Sequence, residues 1–185
     1  MNIYVVDAFT DKPYKGNPAA VCILESAKSD EWMQNVANEM HLSETAFLLE
    51  NDGEFSLRWF TPEAEVDLCG HATLASAHIL LSQYLYLNHE IRFNTKSGLI
   101  TAEKIDDWIQ MNFSLEIEQT CEPPLELTNG LNASFKYVGK NRLDYIVEVE
   151  DEEILKKLNP DFAMLKSVHS RGIIVTCISN RPDID

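Results

Sequence analysis

From Leu68 to His89 the chain carries no Asp, Glu, Lys or Arg, although 24% of its 185 residues are charged. Within that segment, Ala72-Thr-Leu-Ala-Ser-Ala-His-Ile-Leu-Leu reads as helix and is apolar or small on every side. A helix of that kind is stable in water only when protein wraps it all round. The reading therefore predicts a central buried helix over residues 70–85. It opens at Gly70-His71, directly after Asp67-Leu68-Cys69. Helix-start N–H groups that face a cavity suit a carboxylate or an oxyanion. The segment is long enough to suggest a membrane span. His71, Ser76, His78, Ser82, Gln83 and Asn88 make a spanning helix a poor fit.

The flanking patterns are mostly strands. Residues 3–9 and 19–24 read as apolar strands joined by a loop that carries Gly16-Asn17-Pro18. Ser29 or Asp30 then caps a helix with an apolar stripe of Trp32, Met33, Val36, Ala37 and Met40. Glu44 to Glu50 and Phe55 to Phe60 are strands around an Asn51-Asp52-Gly53 turn. After the central helix, 90–95, 99–105 and 108–113 form a meander with turns at Lys96-Ser97-Gly98 and Asp106-Asp107. A meander beside an all-apolar helix suggests a sheet curled around that helix, an α+β half-barrel.

Residues 120–132, with Pro123-Pro124 and Asn129-Gly130, read as a loop between lobes. The expected division is a first lobe over 1–118, a linker over 119–132 and the start of a second lobe over 133–185. That second run contains strands at 135–138 and 144–149, a short helix at 151–158 and a buried strand at 171–178. No second buried helix follows, so the second lobe is expected to be incomplete.

A net charge of −15 argues against nucleic acid or an anionic membrane as partner, since both need basic patches. The first residues form a strand pattern without a basic n-region or cleavage site, so no signal peptide is expected. Cys22, Cys69, Cys121 and Cys177 lack Cys-x-x-Cys spacing and read as reduced thiols of a cytoplasmic protein.

Glu44 is the first candidate for chemistry. Apolar neighbours (Leu42, Ala46, Phe47) disfavour a carboxylate's charged form, the setting that general acid/base chemistry uses. The competing reading is an ordinary strand-end glutamate in water. His71 can hydrogen-bond a substrate or hold an acid/base in place, or be a satisfied core histidine. Cys69 at a helix start can act as an acid/base on carbon, or be a small buried hydrophobe. Asn17 can offer its amide to a ligand, or be a turn residue. Asp67-x-Cys69-x-His71 lacks a second ligand cluster, and His78 lies about 10 Å from His71 along the helix; no metal site is expected.

Taken together, Asp7-Ala-Phe-Thr, Gly16-Asn-Pro-Ala-Ala-Val, His41-Leu-Ser-Glu-Thr-Ala-Phe, the run from Arg58-Trp-Phe-Thr-Pro through Asp67-Leu-Cys-Gly-His-Ala-Thr, and Arg171-Gly-Ile-Ile-Val-Thr resemble the PhzF-like family. That family is named for an isomerase of phenazine biosynthesis and has the diaminopimelate-epimerase-like fold. The resemblance covers essentially the whole chain. It implies two similar lobes, each a curled sheet around a central helix, with the active site between them. It puts the acid/base glutamate on Glu44 and the substrate-orienting Gly-His on Gly70 and His71, with no metal or organic cofactor. Diaminopimelate epimerases use a cysteine pair, one member in Cys-Gly-Asn. Cys69-Gly70-His71 puts a thiol at that place, so a Cys69-based epimerase or racemase is the alternative chemistry, and a non-catalytic binding protein the alternative class.

The family's second helix-start motif, Asp-Pro-x-Thr-Gly-Ser, lies beyond Asp185. The chain is accordingly expected to act on a small carboxylate-bearing metabolite by proton transfer at carbon, yet to be a poor catalyst by itself. A homodimer, or association with a complementary fragment, is expected.

Overall fold

The computed structural model describes residues 1–12, 14–84 and 90–180 and divides into two compact units, Met1–Ser114 and Leu115–Asp185. The tail of the uncharged segment and the last position of the expected helix fall outside the described residues.

In the first unit the order is β1 (Asn2–Ala8), β2 (Asn17–Leu24), α1 (Asp30–Met40), β3 (Glu44–Asn51), β4 (Glu54–Phe60), β5 (Glu65–Val66), α2 (Gly70–Gln83), β6 (Glu90–Thr95), β7 (Gly98–Ile105) and β8 (Trp108–Asn112). The sheet runs β1-β2-β3-β4-β6-β7-β8, with β5 on β4. Two neighbouring pairs are parallel, β2 with β3 and β4 with β6. Parallel neighbours need a crossover, and α1 and α2 supply one each.

The crossovers load the two faces of the sheet. Ala19, Val21, Ala46, Leu48, Leu57 and Trp59 pack with α2, while Cys22, Phe47 and Phe60 pack with Met33 and Ala37 of α1. Strands β2 and β3 are covered on both faces, which is why their sequences read as continuous apolar runs. Further along, Ile91, Phe93, Ile100 and Ala102 alternate with exposed or half-buried residues, as expected of a sheet packed on one face.

The expected α+β architecture, a curled sheet around a central helix, is the one found. On α2, Ala72, Thr73, Ala75, Ser76, Ala77, Ile79 and Leu80 are buried. The hydroxyls of Thr73 and Ser76 donate to the carbonyls of Cys69 (2.6 Å) and Ala72 (2.7 Å), so these polar side chains sit in the core without an unmet proton. One departure from the all-round reading is that His78 and Ser82 are exposed. The physical reason is that the sheet does not close: β1 and β8 are its two ends among the described residues.

The second unit contains β9 (Gln119–Thr120), α3 (Leu125–Leu131), β10 (Phe135–Lys140), β11 (Asp144–Val149), α4 (Glu152–Lys157), α5 (Phe162–Leu165) and β12 (Gly172–Thr176). Its sheet runs β12-β11-β10-β9. The loop reading of 120–132 is corrected by α3, whose Leu127 and Leu131 are buried. Asn129-Gly130 is part of that helix rather than a turn. A Cβ on Gly130 would lie 2.5 Å from Leu165 Cδ2, so the glycine allows close approach of α5. The strand expected over 171–178 is shorter and only half-buried, with Ile174 51% exposed.

Asp144 opens β11, is 8% exposed, and takes two hydrogen bonds from Arg171. Charge-assisted hydrogen bonds to a shielded carboxylate are among the stronger ones. Asp144→Ala is expected to destabilise the second unit by about 1–3 kcal/mol, read as an earlier urea transition; an unchanged midpoint would make the pair ornamental.

Candidate active site

The start of α2 is held by ties on both sides of the preceding turn. Thr61 Oγ1 accepts from the amides of Glu63 (3.2 Å) and Ala64 (3.0 Å). From α1, Gln34 donates to Thr61 O (2.9 Å) and Asn38 to Pro62 O (3.1 Å). Arg58 on β4 forks onto Glu65 at 2.6 and 2.8 Å and reaches Asp30 at 2.7 Å, while Lys96 also pairs with Glu65. The Arg58 guanidinium holds the Glu65 carboxyl below the usual carboxylate range. Ser97 Oγ donates to Asp67 O at 2.8 Å. Cys69 and Gly70 therefore arrive on a braced approach rather than a loose loop.

Parallel pairing opposes Ala19 to Glu44, so Asn17-Pro18 and Ser43-Glu44 lie at the same end of the sheet. The start of α2 meets them there. Glu44 Oε2 lies 3.3 Å from His71 Nε2, with the histidine side chain 11% and the glutamate 20% exposed. That carboxylate oxygen is buried and has no hydrogen-bond partner among the described residues. Ser43 Oγ is 3.3 Å from the same Nε2, 3.2 Å from Pro18 O and 3.4 Å from Asn17 Oδ1. At the ring's other nitrogen, Cys69 Sγ is 3.4 Å from His71 Nδ1.

The fold thus gathers Glu44, His71 and Cys69 directly, and Asn17 through Ser43. Ser43, whose adjacency to Glu44 is its signal in the sequence, joins the site through His71. Gly70 is exposed, and a Cβ there would meet nothing within 4 Å. Its φ is not positive, so neither backbone strain nor packing accounts for the glycine.

The ligand atoms of Glu44, Cys69 and His71 lie within 4.8 Å of one another. They flank different ring nitrogens, the thiol at Nδ1 and the carboxylate at Nε2.

Burial pushes the Cys69 thiol up to about 12; the Ala72 amide offsets part of this and the Glu44 carboxylate adds to it. Burial likewise pushes Cys22 up to about 11. The thiolate is the reactive form, so both thiols should resist iodoacetamide at pH 8 in the folded protein. Peptide mass spectrometry checks this, and rapid labelling of Cys69 would contradict its burial.

The chain matches the family of phenazine biosynthesis-like proteins, PhzC-PhzF, over residues 6–183. It is 53% identical to an uncharacterized isomerase of Halalkalibacterium halodurans, covering 99% of this chain and 70% of that protein. A PhzF-family crystal structure from Enterococcus faecalis superposes with a TM-score of 0.84 at 38% identity, over 94% of this chain and 66% of that one. A second, a putative PhzC/PhzF protein from Clostridium difficile, gives 0.85 at 35% identity, over 97% and 69%. The chain thus spans about two thirds of the length of these relatives. By sequence and by fold, it belongs to the PhzC-PhzF family of phenazine biosynthesis-like proteins.

Proposed function

We propose that the chain acts as a cofactor-independent isomerase or epimerase, by glutamate acid/base catalysis, on a small, carboxylate-bearing metabolite. Glu44 gives and takes the proton at carbon, the Gly70 N–H and His71 orient the substrate, and Asn17 is a more distant contact. The observation that carries this is Glu44 Oε2: buried, without a hydrogen-bond partner among the described residues, and 3.3 Å from a histidine at a helix start. A lone pair held this way is available to a substrate proton. The start of α2, a 14-residue helix, favours negative charge beside it.

The isomerase name of the Halalkalibacterium relative agrees with this reaction class. The thiol alternative is less well supported, because a base at Cys69 would have to ionise against burial. A homodimer and a cytoplasmic location belong to the same proposal; light scattering and cell fractionation test them. No helix among the described residues is long and apolar enough to cross a membrane.

The test is incubation in D₂O with a panel of small carboxylates, reading carbon-bound deuterium by mass spectrometry. Enzyme and binding protein both gain thermal stability with a ligand, but only the enzyme exchanges a carbon-bound proton. Gly70→Ala sharpens the test. The open space around Gly70 predicts an unchanged melting temperature, while a methyl group beside the helix-start N–H should cut exchange about tenfold, a loss of about 1.4 kcal/mol in transition-state stabilisation. Stabilisation by ligand without any exchange would leave a binding protein.

A further inference from the structure

We propose that Cys69 is a positioning residue, whose thiol donates to Nδ1 of His71 and thereby presents the imidazole as the Nε2–H tautomer toward Ser43 and Glu44. The assignment follows from counting protons. Ser43 has one hydroxyl proton and three polar neighbours, and the Pro18 carbonyl, at 3.2 Å, can only accept. Asn17 Oδ1, at 3.4 Å, is likewise an acceptor. The hydroxyl proton therefore goes to that side, and toward His71 Nε2, at 3.3 Å, the serine oxygen accepts. Nε2 must then carry a proton. Glu44 Oε2, 3.3 Å from Nε2 without making a hydrogen bond to it, adds a nearby negative charge that favours the same tautomer.

A neutral imidazole protonated at Nε2 has its acceptor lone pair on Nδ1. The group facing that lone pair is Cys69 Sγ at 3.4 Å. The thiol is 7% exposed, and burial keeps it protonated through neutral pH. It therefore has a proton to give. Two acceptors are within its reach, the ring nitrogen at 3.4 Å and the Glu44 carboxylate; the proton goes to the ring nitrogen, whose lone pair otherwise faces the sulfur without a donor.

A second observation is independent of this count. Cys69 is the N-cap of α2, with extended backbone at φ −146° and ψ 110°; its sulfur makes no capping hydrogen bond of normal geometry, although the Ala72 and His71 amides draw on it. Ser, Thr, Asp or Asn normally fills that position and caps the helix. At this helix start the amides draw on the sulfur lone pairs, which leaves the S–H proton for the imidazole two residues on. The contacts then run from Cys69 S–H to Nδ1 and from Nε2–H to Ser43, with the Glu44 carboxylate beside them. Ring orientation and tautomer are fixed from both sides before any substrate arrives, as preorganised sites require.

The consequence for turnover rests on the acid/base reading of Glu44, whereas the tautomer does not, and the experiment separates them. Long-range ¹⁵N–¹H correlation spectra of the whole chain, labelled at histidine, report which ring nitrogen holds the proton; His71→Asn identifies the signal among the five histidines. The expected result is a proton on Nε2 of His71 and an Nδ1 resonance shifted upfield by an accepted hydrogen bond. Cys69→Ala should move Nδ1 downfield, and Cys69→Ser, which keeps a donor, should move it back. Where exchange is measurable, Cys69→Ala should lower its rate constant about tenfold with little change in KM, and serine should recover most of it.

A proton found on Nδ1 in the wild type overturns the proposal. So does an Nδ1 resonance identical in wild type and Cys69→Ala, which would mean that the thiol donates to Glu44 or to nothing. Should the alanine variant fail to fold, the wild-type spectrum and the serine variant decide. An Nε2–H ring in a protein without any deuterium exchange would support the role of Cys69 while removing the function proposed for Glu44.

Discussion

Glu44→Gln is expected to cut solvent-deuterium incorporation by about 10²- to 10⁴-fold, the range that positioned acid/base groups contribute, while leaving the melting temperature unchanged or raising it. The two halves of this expectation have one cause. Oε2 is buried and lacks a hydrogen bond among the described residues, so the folded state gains little from the carboxylate it holds there. An amide has nearly the same shape and no charge to desolvate, but it cannot accept a proton from carbon. Loss of activity with retained or increased stability is the pattern expected where a site holds a group for chemistry at the expense of stability. Thermal melts and mass spectrometry on the same preparation measure both. If the variant exchanges deuterium at a near-normal rate, Glu44 has no part in proton transfer. If Cys69→Ser is instead the dead variant, the thiol chemistry is correct.

Much of the first unit was legible in the sequence because its signals are local. The charge-free run marks α2, since only a wrapped helix can dispense with charge over so many residues. The continuous apolar runs of β2 and β3 and the alternation of β6 to β8 likewise follow from how many faces are covered. Non-local contacts carry no such signal. Gly130 lies in helix α3 because Leu165 packs against it, a contact 35 positions away that no local pattern carries. The exposure of His78 depends on the sheet failing to close between its first and last strands, again a non-local fact.

At the site, the Cys-Gly-His run was conspicuous, but its partners were not. Glu44 and Ser43 reach His71 only because parallel pairing of β2 with β3 brings one end of the sheet to the start of α2. Periodicity alone made Glu44 an ordinary strand-end residue. The orphaned oxygen that distinguishes it is a property of packing.

Leu80→Ala should cost the first unit about 2–5 kcal/mol, the range for leucines removed from packed cores, and lower its melting temperature on the order of 10–20 °C. Leu80 is 1% exposed and sits with Leu57, Trp59, Ile91 and Phe93 in the cluster between α2 and the curled sheet. It lies ten residues beyond Gly70, roughly 15 Å along the helix, so the variant probes architecture without touching the candidate site. Ser82→Ala is the internal control. Its side chain is exposed and its hydroxyl bonds only back to His78 O, so its effect should stay within about 0.5 kcal/mol. Unfolding followed by hydrogen exchange resolves the first unit from the second, and the loss in Leu80→Ala should appear in amides of β4, β6 and α2 first. Equal, small effects at positions 80 and 82 would mean that α2 lies on the sheet rather than inside it. Glu44, Ser43 and His71 would then be joined by a surface contact instead of a core. A large effect at 80 beside a negligible one at 82 means that the candidate site is anchored by a helix packed into the curl of the sheet and open only along its His78 side. Its geometry is then as rigid as the core that holds it.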